Sequence, residues 1–205
     1  LFTLNSLPTF AHELLRTYAV ARVLLSSADP VGTLIASGVP RWALPATRLA
    51  LQVQLSAPDT LDTPLADRLV RLQTAIDRLA AAGHGDRWAD LPAEAVLVLP
   101  NARDVLTEAW AALTAGDGSG RRRLLRVIQQ RHGRSGIVDR LVAEPLVDLL
   151  LVHGWPSKLQ DDVSELLRGW LRGLVVAGEP KGHPLRKVLR EKLAAHVAAG
   201  DRSLA

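Results

Sequence analysis

Residues 159–176 read LQDDVSELLRGWLRGLVV, and this stretch decides the architecture. Leu159, Val163, Leu166, Leu167, Trp170, Leu171 and Leu174 recur every three or four positions, so a helix gathers them into one apolar stripe. The charged residues fall between them, and Trp170 on the stripe reads as core. Asp161 and Asp162 stand in the first turn, where the helix dipole favours negative charge. The spacing predicts a helix over 159–176.

Working outward, the same period recurs on both sides. Downstream, Pro184 to Ala199 forms a final helix before Gly200, with Leu185, Val188, Leu189 and Leu193 on its apolar face. Upstream, Ile137 to Leu151 carries Ile137, Leu141, Val142, Leu146, Leu149 and Leu150, with Pro145 expected to restart or kink the helix. Arg121 to His132 closes at Gly133, and Ala102 to Ala115 closes at Gly116. Thr63-Pro64 opens a helix with Leu65, Leu69, Leu72, Ile76 and Leu79 on a narrow seam, ended by Gly83. Asp67, Arg68, Arg71, Asp77 and Arg78 leave that seam for water or a partner helix. Asp29-Pro30 is a cap followed by a first-turn proline, opening a short helix that stops at Gly38. The first helix is expected from Pro8 to Leu25, with Phe10, Leu14, Tyr18 and Leu25 near one face.

Two segments depart from this pattern. Leu49, Leu51, Val53 and Leu55 alternate with Ala50, Gln52, Gln54 and Ser56, which is a strand signature. Leu44, Arg48, Leu51 and Leu55 also fit a helix, and the helical neighbours favour that reading. Ala95 to Leu99, between Pro92 and Pro100, reads as a short buried strand. Glycine follows predicted helix ends at 83, 116, 133, 154, 178 and 200, where a left-handed residue is often needed. The expected fold is all-α, an antiparallel helical bundle or a short HEAT-like solenoid of stacked helical hairpins. One domain spanning 1–205 is expected, with a weak sub-boundary near 116–120.

Composition agrees. The 205 residues include 38 Leu, 29 Ala and 21 Arg, which are strong helix formers, while Phe and Tyr together number three. Apolar residues make up 48% and charged ones 22%, enough for a sizeable core. No run approaches the ~20 apolar residues of a membrane span, so membrane insertion is not expected. The absence of Cys removes disulfides, thiolate metal sites and cysteine nucleophiles. The chain opens at Leu1 and has no Met, which reads as a piece of a larger protein or as a sequence short of its methionines. The first residues lack a basic segment followed by a pure apolar run, so an intracellular, cytoplasmic location is expected.

Charge separates along the chain. Residues 1–100 hold 8 Arg against 9 acids, whereas 101–205 hold 17 basic groups against 12 acids. The densest run, Arg121, Arg122, Arg123, Arg126, Arg131 and Arg134 with His132, contains no acid. It follows a Gly-rich loop into a helix start, so phosphate or nucleic-acid contact is one reading. Against it, Arg in a first turn opposes the helix dipole, and no aromatic is interleaved for base stacking. Lys181, Arg186, Lys187 and Arg190 form a second basic stretch with His183 and Lys192, opposed only by Glu191.

Catalytic signatures are missing. Asp161-Asp162-Val163-Ser164-Glu165 resembles the aspartate-rich box with which isoprenoid enzymes hold magnesium and diphosphate, yet no second acidic cluster exists to face it. The six His show no metal-ligand pairing, and His84 sits in a turn expected to point to solvent. Neither a nucleophile elbow nor a Ser-x-x-Lys motif occurs. Trp42 and Trp155 adjoin proline-bounded turns and are expected to be buried; exposed, they would suggest protein contact. No cofactor and no metal is expected. The functional expectation is a non-catalytic protein–protein interaction or scaffold module. A nucleic-acid-binding protein using the 121–134 helix, and a bundle holding a hydrophobic ligand, are the alternatives.

Overall fold

The computed structural model describes residues 2–4, 7–9, 12–57, 63–115, 118–178 and 182–198. The fold is all-α. Among the described residues the strands are two short two-stranded ladders, and no helix is long and apolar enough to cross a membrane. The chain forms two compact units, Leu1–Leu99 and Pro100–Ala205, and the break expected near 116–120 falls inside the second.

In the first unit, β1 (Phe2–Leu4) pairs antiparallel with β2 (Leu7–Thr9), ahead of α1 (Glu13–Ser26). The helix expected from Pro8 therefore begins later, at Glu13, after the cap residue His12, whose Nδ1 accepts the Leu14 N–H at 3.2 Å. Its face is also corrected: Ala21 and Leu24 are buried, while Leu14 and Tyr18 are 70% and 59% exposed. The Asp29-Pro30 signature works as expected, the Gly32 N–H donating to Asp29 Oδ1 at 3.0 Å to start α2 (Pro30–Ala36). Residues 44–56 are α3 (Leu44–Ser56), so helix is the correct reading there; α3 packs on α1 and on α6 (Leu91–Leu97). The strand expected at Ala95–Leu99 is instead the last turn of that helix, with Val98 and Leu99 in the turn that follows. Every residue of α6 is buried, Glu94 included, and a short, fully buried helix looks like a buried strand in sequence.

The seam of α4 (Leu65–Leu79) buries Leu65, Leu69, Ile76 and Leu79. Thr63 gives it no side-chain cap; Pro64 holds that position. Arg68 turns to a partner helix: buried, its Nη1 donates to the carbonyls of Gln54 at 3.1 Å and Ala57 at 2.8 Å, closing the end of α3. Gly83 (φ +85°) breaks the helical path inside the following π turn (Ala80–His84), His84 is exposed, and α5 (Asp86–Ala89) leads to α6.

The second unit opens with α7 (Ala102–Glu108) and α8 (Trp110–Thr114), one predicted helix divided at Ala109. α9 (Ser119–His132) follows; the stop expected at Gly116 lies outside the described residues, as do Gly200, Ala199 and Lys181. Gly133 does end α9, but with φ −97° it is extended. Glycine is needed there for room, because a Cβ would press into the Gln129 carbonyl. The helix expected from Ile137 is a second correction. β3 (Gly133–Arg134) pairs with β4 (Ile137–Val138) through Ser135-Gly136, both at positive φ as a two-residue hairpin turn requires. Only then does α10 (Arg140–His153) begin, capped by Asp139, whose Oδ1 accepts the Leu141 N–H at 3.0 Å. It runs through Pro145 without restarting.

α11 (Gln160–Val176) is the packing centre, touching α9, α10 and β4. Apart from the half-buried Leu171, its stripe is buried as predicted, Trp170 completely. Gly169 and Gly173 cut a notch in it. A Cβ at these positions would stand 2.6 Å from Val138 Cγ2 and 2.5 Å from the Val138 carbonyl oxygen, so β4 can lie against the helix only where no side chain intervenes. α12 (Pro184–Ala198) packs on α10.

Candidate interaction surface

The hairpin, the start of α10 and the end of α11 meet on one face of the second unit. Asp139 ends β4 and caps α10, which turns Leu141 outward at 66% exposure. Val176, in the last turn of α11, is 71% exposed. Together with Ile137 and Ala177 they line an open groove of about 970 Å³, with Arg134, Arg140 and His132 among its walls. The apolar floor is therefore bordered by Arg134 and the ion-paired Arg140, with the Asp139 carboxylate, committed to the cap of α10, in the same lining. Arg134 is exposed on β3.

Leu141 also walls a second open groove of about 990 Å³ on the other flank of α10, lined by Pro145, Pro184, Leu185 and Val188. Ion pairs fix its sides. Arg140 Nη1 donates to Glu144 Oε1 at 3.3 Å, His183 Nε2 lies 3.4 Å from the same oxygen, and Arg103 pairs with Asp148. The His183 ring meets Trp170 edge-on with centroids 5.7 Å apart. Glu144 thus stands between two nitrogen partners and holds the N-terminus of α12 to α10. The arrangement is suited to positioning a helix.

The arginines expected to act together are distributed. Successive helical residues point 100° apart, so Arg121, Arg122 and Arg123 leave α9 in three directions. Arg121 is half-buried, its guanidinium 5.9 Å from the Trp110 ring centroid. Arg122 is exposed and shares the i, i+4 face with Arg126, while Arg123, Arg126 and Arg131 each have an interaction of their own. On α12, Arg186 is half-buried, Lys187 lies 3.9 Å from Glu191, and Arg190 has an interaction of its own. Of the expected residues, Arg134 is the one that borders the apolar groove.

Several residues of the face carry no warning in the sequence. Ile137, Leu141 and Leu185 read there as core positions, and Glu144 was not singled out at all. The Ser135-Gly136 dipeptide is a turn signal that could have revealed the hairpin. Trp42, expected buried, is 50% exposed, with the Arg16 guanidinium 5.5 Å from its ring centroid. Trp155 is partly buried and donates its indole N–H to Gln160 Oε1 at 2.7 Å. Asp161 and Asp162 occupy the first turn of α11, and among the described residues no group of acids or histidines could hold a metal. Comparison with protein-family models, with curated proteins and with solved structures finds no match.

Proposed function

We propose that the chain is a non-catalytic interaction module whose second unit receives an acidic, apolar segment of a protein partner on the face around Leu141. The observation that carries this reading is the exposed pair Leu141 and Val176, with half-buried Ile137 in the same groove lining, beside the exposed Arg134. Contiguous apolar side chains left open to water and rimmed by charge are the usual mark of a binding face. The exposed Arg134 guanidinium favours a negatively charged partner and would speed its encounter. The nucleic-acid reading draws its support from Arg122 and Arg126 on α9, which lack an interleaved aromatic.

Titration of labelled acidic, neutral and basic amphipathic peptides, beside duplex and single-stranded DNA, separates the two. The acidic peptide should bind best and shift the amide signals of 137–141 and 176–177. Arg134→Glu should weaken it by about tenfold, the scale of one charge-assisted contact. DNA affinity that falls steeply with salt and disappears in Arg122→Glu/Arg126→Glu, with no preference for acidic peptides, would replace this reading with the nucleic-acid one.

A further inference from the structure

A pocket in the first unit opens between α2, α3 and α4 and encloses about 800 Å³, the solvent at its mouth included. Side-chain size creates it. Ala50 on α3, Ala75 on α4 and Ala28 ahead of α2 line the space that larger aliphatic residues would close. Leu34, Leu51 and Ile76 give it buried aliphatic walls.

Of the polar groups around this space, Thr47 and Asp29 are committed and the Gln54 side chain is a neutral amide. The Thr47 hydroxyl donates to the Ala43 carbonyl at 2.9 Å, and Asp29 is held in the cap of α2 by the Gly32 N–H. Arg71 differs. It is exposed, it lines the pocket one turn from Ala75, and it makes no hydrogen bond or ion pair among the described residues. An aliphatic cavity with a single uncommitted guanidinium at its edge suits a molecule with one long apolar part and one anionic end. The forked donors of arginine match a carboxylate in particular.

We propose that this pocket binds a single-chain aliphatic carboxylate, its chain between Leu51 and Ile76 and its head group on Arg71. Aliphatic linings with a few placed polar groups are the general pattern of small-molecule sites. The site is independent of the face on the second unit, so the two proposals stand or fall separately.

Dodecanoate, dodecanol and dodecyltrimethylammonium, each below its micelle concentration, can be titrated into the isotope-labelled full chain while amide shifts are followed. Dodecanoate should bind most tightly, with shifts confined to α2, α3 and α4. Arg71→Ala should weaken dodecanoate by about tenfold and leave dodecanol unchanged, the scale of a lost charged hydrogen bond. Ala75→Leu should fill the space and abolish binding of both. Should that variant unfold, as its amide spectrum would report, the exposed Arg71 substitution decides alone. Equal affinities for the acid, the alcohol and the ammonium compound, unaltered dodecanoate binding in Arg71→Ala, or shifts outside these helices would overturn the proposal.

Discussion

Helices α11 and α1 are both rich in aliphatic residues, yet they place them in opposite ways. In α11 the stripe Val163, Leu166, Trp170 and Leu174 is turned wholly inward. In α1 the buried positions are Ala21 and Leu24, and Leu14, Leu15, Tyr18 and Val23 face out. The cause lies in the opposite side of each helix. α11 has Asp161, Glu165, Arg168 and Arg172 exposed opposite its stripe, so only one side can be buried. α1 is apolar nearly all round, and several orientations would bury similar area. What decides is the neighbour. α3 packs along α1, whereas β4 enters a notch that α11 supplies with Gly169 and Gly173.

The contrast can be broken by mutation, most strongly in α11. Trp170→Ala should cost about 3–5 kcal/mol and lower the denaturant midpoint of the second unit sharply, since a large aromatic leaves a cavity. Gly173→Val comes next. A side chain there meets the Val138 carbonyl, so about 1–3 kcal/mol should be lost. Hydrogen exchange should also quicken at the Asp139 amide, which donates to the His132 carbonyl at 2.9 Å. In the first unit the anchoring is polar: Arg68→Ala frees the Gln54 and Ala57 carbonyls and should cost about 1–2 kcal/mol by chemical denaturation. Smallest of all, Leu14→Ser and Tyr18→Ser on the outer face of α1 should change stability by no more than about 0.5 kcal/mol. A loss like that of Trp170→Ala would mean that α1 is covered in solution.

The helical architecture was legible because period, caps and glycine stops agree along most of the chain. Asp29-Pro30, the α4 seam and the α11 stripe were each readable from residues close in sequence. What was not legible depends on residues far apart. The hairpin at 133–138 has only Ile137 and Val138 as apolar residues, which read as the start of the α10 stripe, and its two glycine partners on α11 lie more than 30 positions downstream. The site fared worse for the same reason. A run of arginines is conspicuous in sequence, but a helix scatters adjacent side chains around its axis, and Arg134 borders the apolar groove only because the hairpin carries it there. The exposure of Leu141 follows from where α10 begins, which Asp139 and the Ser135-Gly136 turn determine together.

One paired measurement on Leu141→Asp bears most directly on the idea that this leucine is kept bare for a partner. The unfolding free energy and the affinity for the acidic amphipathic peptide are determined on the same sample. Stability should stay within about 0.5 kcal/mol of the parent, as for an exposed position, while affinity falls at least tenfold. A variant that binds the peptide as before, or one that is destabilised by several kcal/mol, would contradict it.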